Sequence, residues 1–261
     1  MSRSQRLRLH RPFTLAESGG HSFVWLGLDE SEAERGILAN QYLIVDGGEA
    51  LLVDPGGVYM FPRLVRAVSE IVNPRDVVAV FYSHQDPDVT GNINMVADAF
   101  PNARIYVSRL WTRFLPHLGV LGGVEFVEIP DEGMEIRVGS TTLQAIPAHF
   151  LHSPGNFTLY DPAVRVLFSG DIGAAVFPPG KWYLIVDDFD SHVSLIEWFH
   201  RRYLASGKAL KAWLSRVRGL AIDTIAPQHG AVFQGANAGR FLDWLERLAS
   251  TPIGVDYLYP D

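Results

Sequence analysis

The chain has no cysteine in its 261 residues. That absence excludes disulfides, a cysteine nucleophile, a thiolate zinc site and any iron–sulfur or rubredoxin centre carried by this polypeptide. A bound metal would have to be held by imidazole and carboxylate. Long hydrophobic runs are also missing, because the clearest one, Val77 to Tyr82, is far too short to span a bilayer. Positive charge is scarce: 22 Lys and Arg stand against 29 Asp and Glu, a formal net charge of −7. Broad electrostatic binding to nucleic acid or to an anionic membrane needs clustered cations and is not expected. The one basic cluster, Arg3, Arg6, Arg8 and Arg11, precedes no apolar stretch and does not read as a secretory signal. There is no phosphate-binding loop and no complete dinucleotide fingerprint, and Gly47-Gly48 and Gly122-Gly123 read as turn glycines. A cytoplasmic protein with no membrane or nucleic-acid partner is the expectation.

Apolar residues make up 48% of the chain, enough to build a sizeable core. Gln41–Val45 and Ala50–Val53 read as strands joined by a Gly-containing turn, with Asp54-Pro55-Gly56-Gly57 as the loop that follows. Phe61–Val72 carries apolar residues at helical spacing, Asp76–Tyr82 reads as a buried strand, Asn92–Phe100 as a helix and Arg104–Val107 as a further strand. From Phe126 to Phe168 the pattern changes to short alternating runs that suggest antiparallel strands. Ser191–Leu204, Gly207–Val217 and Gly239–Ala249 read as helices, with a short strand at Thr224–Gln228. The longest irregular segment, Ala174 to Asp190, is either a lid over a site or a solvated connector. With no repeat and no linker, residues 1–261 read as one domain of mixed α/β and α+β character, its core at about 20–250.

A few polar residues sit just past the ends of apolar strands. His84, Asp86 and Asp88 follow Val77–Tyr82, His152 follows the strand ending near Ile146, Asp171 follows Arg165–Gly170, and His229 follows Thr224–Gln228. Strand ends on one sheet edge let distant segments converge on a ligand. In an extended backbone residues 84, 86 and 88 point the same way, and Pro87 holds Asp86 extended. Asp171 is the natural bridge between two ions, because each carboxylate oxygen can take one. Any of these residues alone is more often an ordinary hydrogen-bonded side chain than a ligand.

Taken in order, His84-x-Asp86-x-Asp88, His152, Gly170-Asp171 and His229-Gly230 resemble the metallo-β-lactamase superfamily, and within it the di-iron branch of flavodiiron reductases and oxygen-binding di-iron proteins. Asn40–Val45, Leu52-Val53-Asp54, His152–Phe157, Leu167–Asp171 and Ile225–Gly230 support the likeness. It runs collinearly over about residues 20 to 250. The resemblance implies a four-layer αββα sandwich. It implies one metal on His84, Asp86, His152 and Asp171, and a second on Asp88, Asp171 and His229, with Asp88 and His229 also placed to handle protons. Two positions depart from the family pattern: Asp86 stands where the reductases usually have Glu, and Val89 where many members have His, which leaves the second metal with open positions. The oxygen-rich donor set suits two iron ions better than zinc, with manganese and zinc as alternatives.

Two functions follow from that resemblance. The first is a non-haem di-iron protein that binds dioxygen or nitric oxide, and reduces it if a separate reductase supplies electrons, since no flavin is expected within this chain; a sensor without turnover is its lesser variant. The second is a hydrolase acting on a phosphodiester or thioester through a metal-bound hydroxide. The family also admits a homodimer. His149 competes with His152 and is given a supporting role, His200 beside Arg201 and Arg202 is expected to be solvated, and Asp54 is either a group that orients a ligand or an ordinary turn residue. Tyr82 and Trp111 either line a pocket or, as is usual for aromatic residues so placed, sit in the core.

Overall fold

The computed structural model describes residues 10–29, 31, 36–120 and 124–260. Arg3, Arg6 and Arg8 of the basic cluster and the Gly122-Gly123 pair lie outside the described residues. Two sheets form the centre. The first is ordered β1 (Phe13–Ser18), β2 (His21–Trp25), β3 (Tyr42–Asp46), β4 (Glu49–Val53), β5 (Val77–Phe81), β6 (Arg104–Ser108) and β7 (Phe126–Ile129). It is antiparallel from β1 to β4 and parallel from β4 to β7. The second sheet contains β8 (Met134–Val138), β9 (Thr141–Pro147), β10 (Phe157–Asp161), β11 (Val166–Gly170), β12 (Thr224–Pro227) and β13 (Phe233–Gln234), in the order β13-β12-β11-β10-β9-β8. It is antiparallel except where β11 pairs with β12. The helices are α1 (Phe61–Ser69), α2 (Pro87–Thr90), α3 (Ile93–Ala99), α4 (Phe189–Tyr203), α5 (Gly207–Val217), α6 (Ala236–Leu248) and α7 (Val255–Leu258).

Strand periodicity sorts the apolar residues into layers. Leu51 and Val53 of β4 point between the sheets with Phe81, Phe157 and Phe168, whereas Leu52 points outward against Leu64, Val68 and Val96 of α1 and α3. On the second sheet Leu159 and Phe168 face inward, while Leu167 and Ile225 pack against Ile196 of α4, Leu214 of α5 and Phe241 of α6. Central strands are apolar on both faces because both faces are covered. The result is the four-layer αββα arrangement implied by the resemblance. Among the described residues no helix is long and apolar enough to cross a membrane.

Three elements differ from the expectations. The β1–β2 hairpin was not anticipated, although Gly19 and Gly20 take φ of 59° and 87°, as a tight hairpin turn requires. β7 falls in the stretch read as antiparallel, but it extends the parallel half of the first sheet beside β6. The 174–190 segment is partly built into the core: Leu184 is buried, Ile185 bridges to Val232, and Trp182 stacks on Trp25 at 5.7 Å. The stretch around 184–186 is thus core, while residues 178–181 are exposed.

A buried ion pair ties the unanticipated hairpin to the second sheet. His21 Nε2 lies 2.6 Å from Asp161 Oδ2 of β10, and both residues are shut off from solvent. Burial alone would lower the pKa of His21, but the hydrogen bond and charge of Asp161, aided by Asp46, raise it above its ordinary value. The stabilisation is therefore complete below the unfolded-state value of 6.5 and is lost as the pH rises through the higher folded-state value. His21→Ala, which strands Asp161 without its partner, is expected to cost about 3–5 kcal/mol. Denaturant titrations across the pH range should show the gap between wild type and variant narrowing on the alkaline side.

Candidate metal centre

Both sheets end at one edge, and the polar residues singled out in the sequence collect there. Asp54, just past β4, adopts a φ of 43°, a left-handed conformation that Asp tolerates better than most residues. Fully buried, its carboxylate accepts the Ser83 N–H at 2.7 Å and the Ser83 hydroxyl at 2.5 Å. With its only proton donated to Asp54, Ser83 Oγ accepts from His84 Nδ1–H at 2.8 Å. His84 Nε2 is left as a buried lone pair with no hydrogen-bond partner. Such an atom costs about 1–3 kcal/mol unless something fills its place. Asp54 is thus an orienting group as well as a turn residue.

Asp86 follows in extended conformation, φ −65° and ψ 151°, as its Pro87 neighbour demands. Gln85 Nε2 donates to Asp86 Oδ1 at 3.1 Å, and Gln85 Oε1 accepts from the Ser153 hydroxyl at 3.0 Å. The backbone does not stay extended. It enters α2 at Pro87, so a helical turn rather than strand alternation presents Asp88. Val89 is fully buried among α1 and α3 and offers nothing to the cluster.

The remaining three residues arrive from the second sheet. Asp171 follows β11, His152 lies in the loop between β9 and β10, and His229 follows β12. His229 Nδ1–H donates to Leu38 O at 2.9 Å, which turns Nε2 inward. The Gly230 after it has a φ of 96°, and a Cβ there would come within 2.7 Å of Ala175 Cβ. Only glycine fits that turn.

The carboxylate of Asp171 is divided between two groups of donors. Its Oδ2 lies 2.9 Å from His152 Nε2 and 3.7 Å from His84 Nε2; Asp86 Oδ2 is 3.3 Å and 3.8 Å from the same two nitrogens. Its Oδ1 lies 3.6 Å from His229 Nε2, which is 3.0 Å from Asp88 Oδ2. Ligand atoms of His84, His152 and Asp171 all fall within 4.8 Å of one another. Asp171 Oδ1, like His84 Nε2, has no hydrogen-bond partner. Two unpartnered buried atoms, facing inward among carboxylates and imidazoles, fit a cation site.

The protonation pattern points the same way. Burial alone would raise the pKa of Asp171, but the bond from His152 and the charges of His229 and His152 hold it below the ordinary carboxylate range. Burial would lower His152 and His229, yet bonds to Asp171 and Asp86 push the former up to about 10, and bonds to Asp88 with the charge of Asp171 push the latter up to about 9. Burial carries His84 down and Asp54 up to about 7.

Other expectations meet mixed outcomes. His149 has a supporting part: its Nδ1 accepts the Gly155 N–H at 3.0 Å, and its Nε2 donates to Asp131 O at 3.2 Å. Tyr82 is in the core, and Trp111 packs at its edge. His200 is not solvated; it is fully buried under α4, its pKa lowered by burial to about 4, and it accepts the Gly173 N–H. Its neighbours Arg201 and Arg202 misled the reading, since on a helix adjacent residues face different directions. Phe199 and Tyr203, stacked at 4.7 Å, set their rings 6.4 Å and 6.2 Å from that of His152 and were not anticipated. Ser83 and Gln85 were also missed, although their places on either side of His84 offered a signal; nothing in the sequence marks the Leu38 carbonyl.

Because His152 and His229 hold protons well above neutrality, cation binding must displace them. Metal uptake near pH 7 is expected to release one proton from each, and affinity to climb as the pH rises towards 9. Calorimetry in buffers of different ionisation enthalpy would measure both; uptake without proton release would contradict this geometry.

Comparison with known proteins adds the family context. Two structures of the chemotaxis sensor ODP match nearly end to end: a peroxy diiron species, 42% identical over 95% of this chain and 98% of that one with a TM-score of 0.82, and the apo state from T. denticola, 44% identical over 95% and 97% with a TM-score of 0.81. A flavo di-iron protein mutant from Thermotoga maritima shares the fold at 20% identity, over 92% of this chain and 61% of its own, with a TM-score of 0.75. Among curated relatives, an uncharacterized Methanocaldococcus jannaschii protein is 26% identical over 75% of this chain, and the chain spans 49% of its length. The chain likewise spans 37% of a Synechocystis diflavin flavoprotein, at 23% identity over 82% of this chain. The model of the ODP family beta lactamases matches residues 37–230, and the chain belongs to that family.

Proposed function

We propose that this chain binds dioxygen at a non-haem di-iron centre. The observation that carries the reading is the division of Asp171, one oxygen among His84, His152 and Asp86 and the other towards His229 and Asp88. His84, Asp86, His152 and Asp171 Oδ2 would hold one iron, and Asp88, His229 and Asp171 Oδ1 the other. Ferrous iron held by these residues would supply the electrons that dioxygen binding needs. Three nitrogens against three carboxylates favour iron over zinc. The sensor described as a peroxy diiron species, 42% identical to this chain, supports iron and dioxygen together.

The chain's own residues prepare the site. Ser83 fixes the His84 tautomer, Gln85 occupies Asp86 Oδ1 so that Oδ2 is free to turn inward, and Leu38 O does the same service for His229. Phe199 and Tyr203 wall off the His152 side. Val89, buried in the core, offers no donor there, so Asp88, His229 and Asp171 are the donors on that side. In the metal-free site Asp88 and His229 Nε2, 3.0 Å apart, share a proton that a bound metal would displace. In this reading residues 1–261 act as one metal-binding domain in the cytoplasm. Reversible binding would return its electrons on release and need no outside supply; net reduction of dioxygen or nitric oxide would need a separate reductase, and a homodimer is compatible with either.

The test is metal analysis of anaerobically purified protein with optical spectra before and after oxygen. Two irons per chain and a new near-ultraviolet or visible band are expected. Two zinc ions without a spectral response would sink the proposal and favour the metal-dependent hydrolase. Asp171→Ala should remove most of the bound metal, whereas His149→Ala should retain it. Full stoichiometry in Asp171→Ala would refute the bridge.

A further inference from the structure

The turn that carries Asp171 is closed mostly by its own atoms. Ile172 N–H donates to Ser169 O at 3.1 Å, Ala174 N–H to Asp171 O at 3.0 Å, and the Ser169 hydroxyl to Ile172 O at 2.5 Å. Gly170 O accepts the Gln228 N–H at 2.8 Å, which ties the turn to the segment bearing His229. Gly173 differs. Its φ is 111°, and a Cβ would come within 3.0 Å of Pro227 Cβ and 3.3 Å of the Phe233 ring, so the backbone is pressed against the second sheet. A buried N–H in such a place needs an acceptor. The acceptor comes from another element: His200 Nε2 of α4, at 2.9 Å.

Both nitrogens of His200 are committed. Nδ1–H donates to Ile196 O, one helical turn earlier, at 2.7 Å, so Nε2 must carry the lone pair. The ring is fully buried and meets Trp244 edge-on at a centroid distance of 5.2 Å and Phe241 at 6.1 Å. A ring clamped by its own helix, by two aromatics and by one backbone N–H has little freedom to turn. The same helix supplies Phe199 and Tyr203 beside His152. One rigid element therefore touches the loop of the dividing carboxylate and a histidine of the same cluster.

We infer that His200 is a positioning residue for Asp171: by accepting the Gly173 N–H it holds the turn whose carboxylate faces both halves of the candidate metal centre. The inference rests on the di-iron reading above and adds to it a residue outside the cluster. A carboxylate that serves two ions must keep both oxygens aimed within a fraction of an ångström, and residues supporting a metal ligand are worth about 10–100-fold in metal affinity.

The comparison that tests this uses the full chain and ferrous iron, with affinity measured by chelator competition and with the optical and Mössbauer spectra of the loaded protein. His200→Leu keeps most of the volume and removes the acceptor; His200→Asn keeps polarity on an arm too short to reach and serves if His200→Leu does not fold. His200→Gln can still offer an oxygen to the Gly173 N–H. His192→Leu is the control, because His192 is an equally buried histidine of α4 whose Nδ1 bonds the Tyr183 hydroxyl at 2.6 Å. The expected result is a loss of about tenfold or more in His200→Leu or His200→Asn with altered spectra, recovery in His200→Gln, and little change in His192→Leu. Wild-type affinity and spectra in His200→Leu or His200→Asn would overturn the inference and leave the di-iron reading standing. An equal loss in His192→Leu would also overturn it, since the effect would then be general loosening of the core. A wild-type chain that takes up no iron would overturn both.

Discussion

One buried carboxylate governs the arrangement of this molecule. Asp171 sits almost wholly out of water, where an isolated charge would be driven to neutralise. The charged imidazoles of His152 and His229, from two separate segments, keep it ionised instead. Two of the histidines are oriented by groups behind them: His84 by Ser83 and Asp54, His229 by the Leu38 carbonyl. The carboxylates of Asp86 and Asp88 complete two donor groups around its two oxygens. A concentration of fixed charge of this kind is unfavourable for a fold on its own, and a bound cation would compensate it.

The two sheets make that convergence affordable in structural terms. Stacked face to face, they bring the ends of β4, β5, β11 and β12 to one edge, and the short segments past those ends carry most of the candidate metal ligands. The apolar middle layer, with Phe81, Phe157 and Phe168 at its centre, fixes the spacing between the sheets and hence between the segments. Cores are close-packed and resist small shifts, so a site built at their edge inherits their rigidity. The 174–190 segment contributes to the same end by packing down between the helices and the hairpin.

A helix outside the cluster also bears on it. α4 packs its buried face on the second sheet, and from that position His200 reaches the turn after β11 while Phe199 and Tyr203 reach His152. Such contacts make the geometry of the centre depend on the packing of a whole layer.

Much of this could be read from the chain alone. Zero cysteine limited the donors to nitrogen and oxygen, the strand-end placement of His84, Asp86, Asp88, His152, Asp171 and His229 named the candidates, and their order pointed to the family. Helices and central strands were legible because a two-residue or 3.6-residue apolar period survives in sequence wherever one face is buried. The β1–β2 hairpin was not, since its burial depends on contacts with distant residues such as Asp161. Tertiary structure alone decided that a helical turn presents Asp88, that His200 lies inside, and that Asp171 faces two donor groups. Those outcomes depend on side-chain direction and on partners up to about 190 residues away, as with the Leu38 carbonyl and His229. A local pattern says which residue types are present; only packing decides which atoms meet.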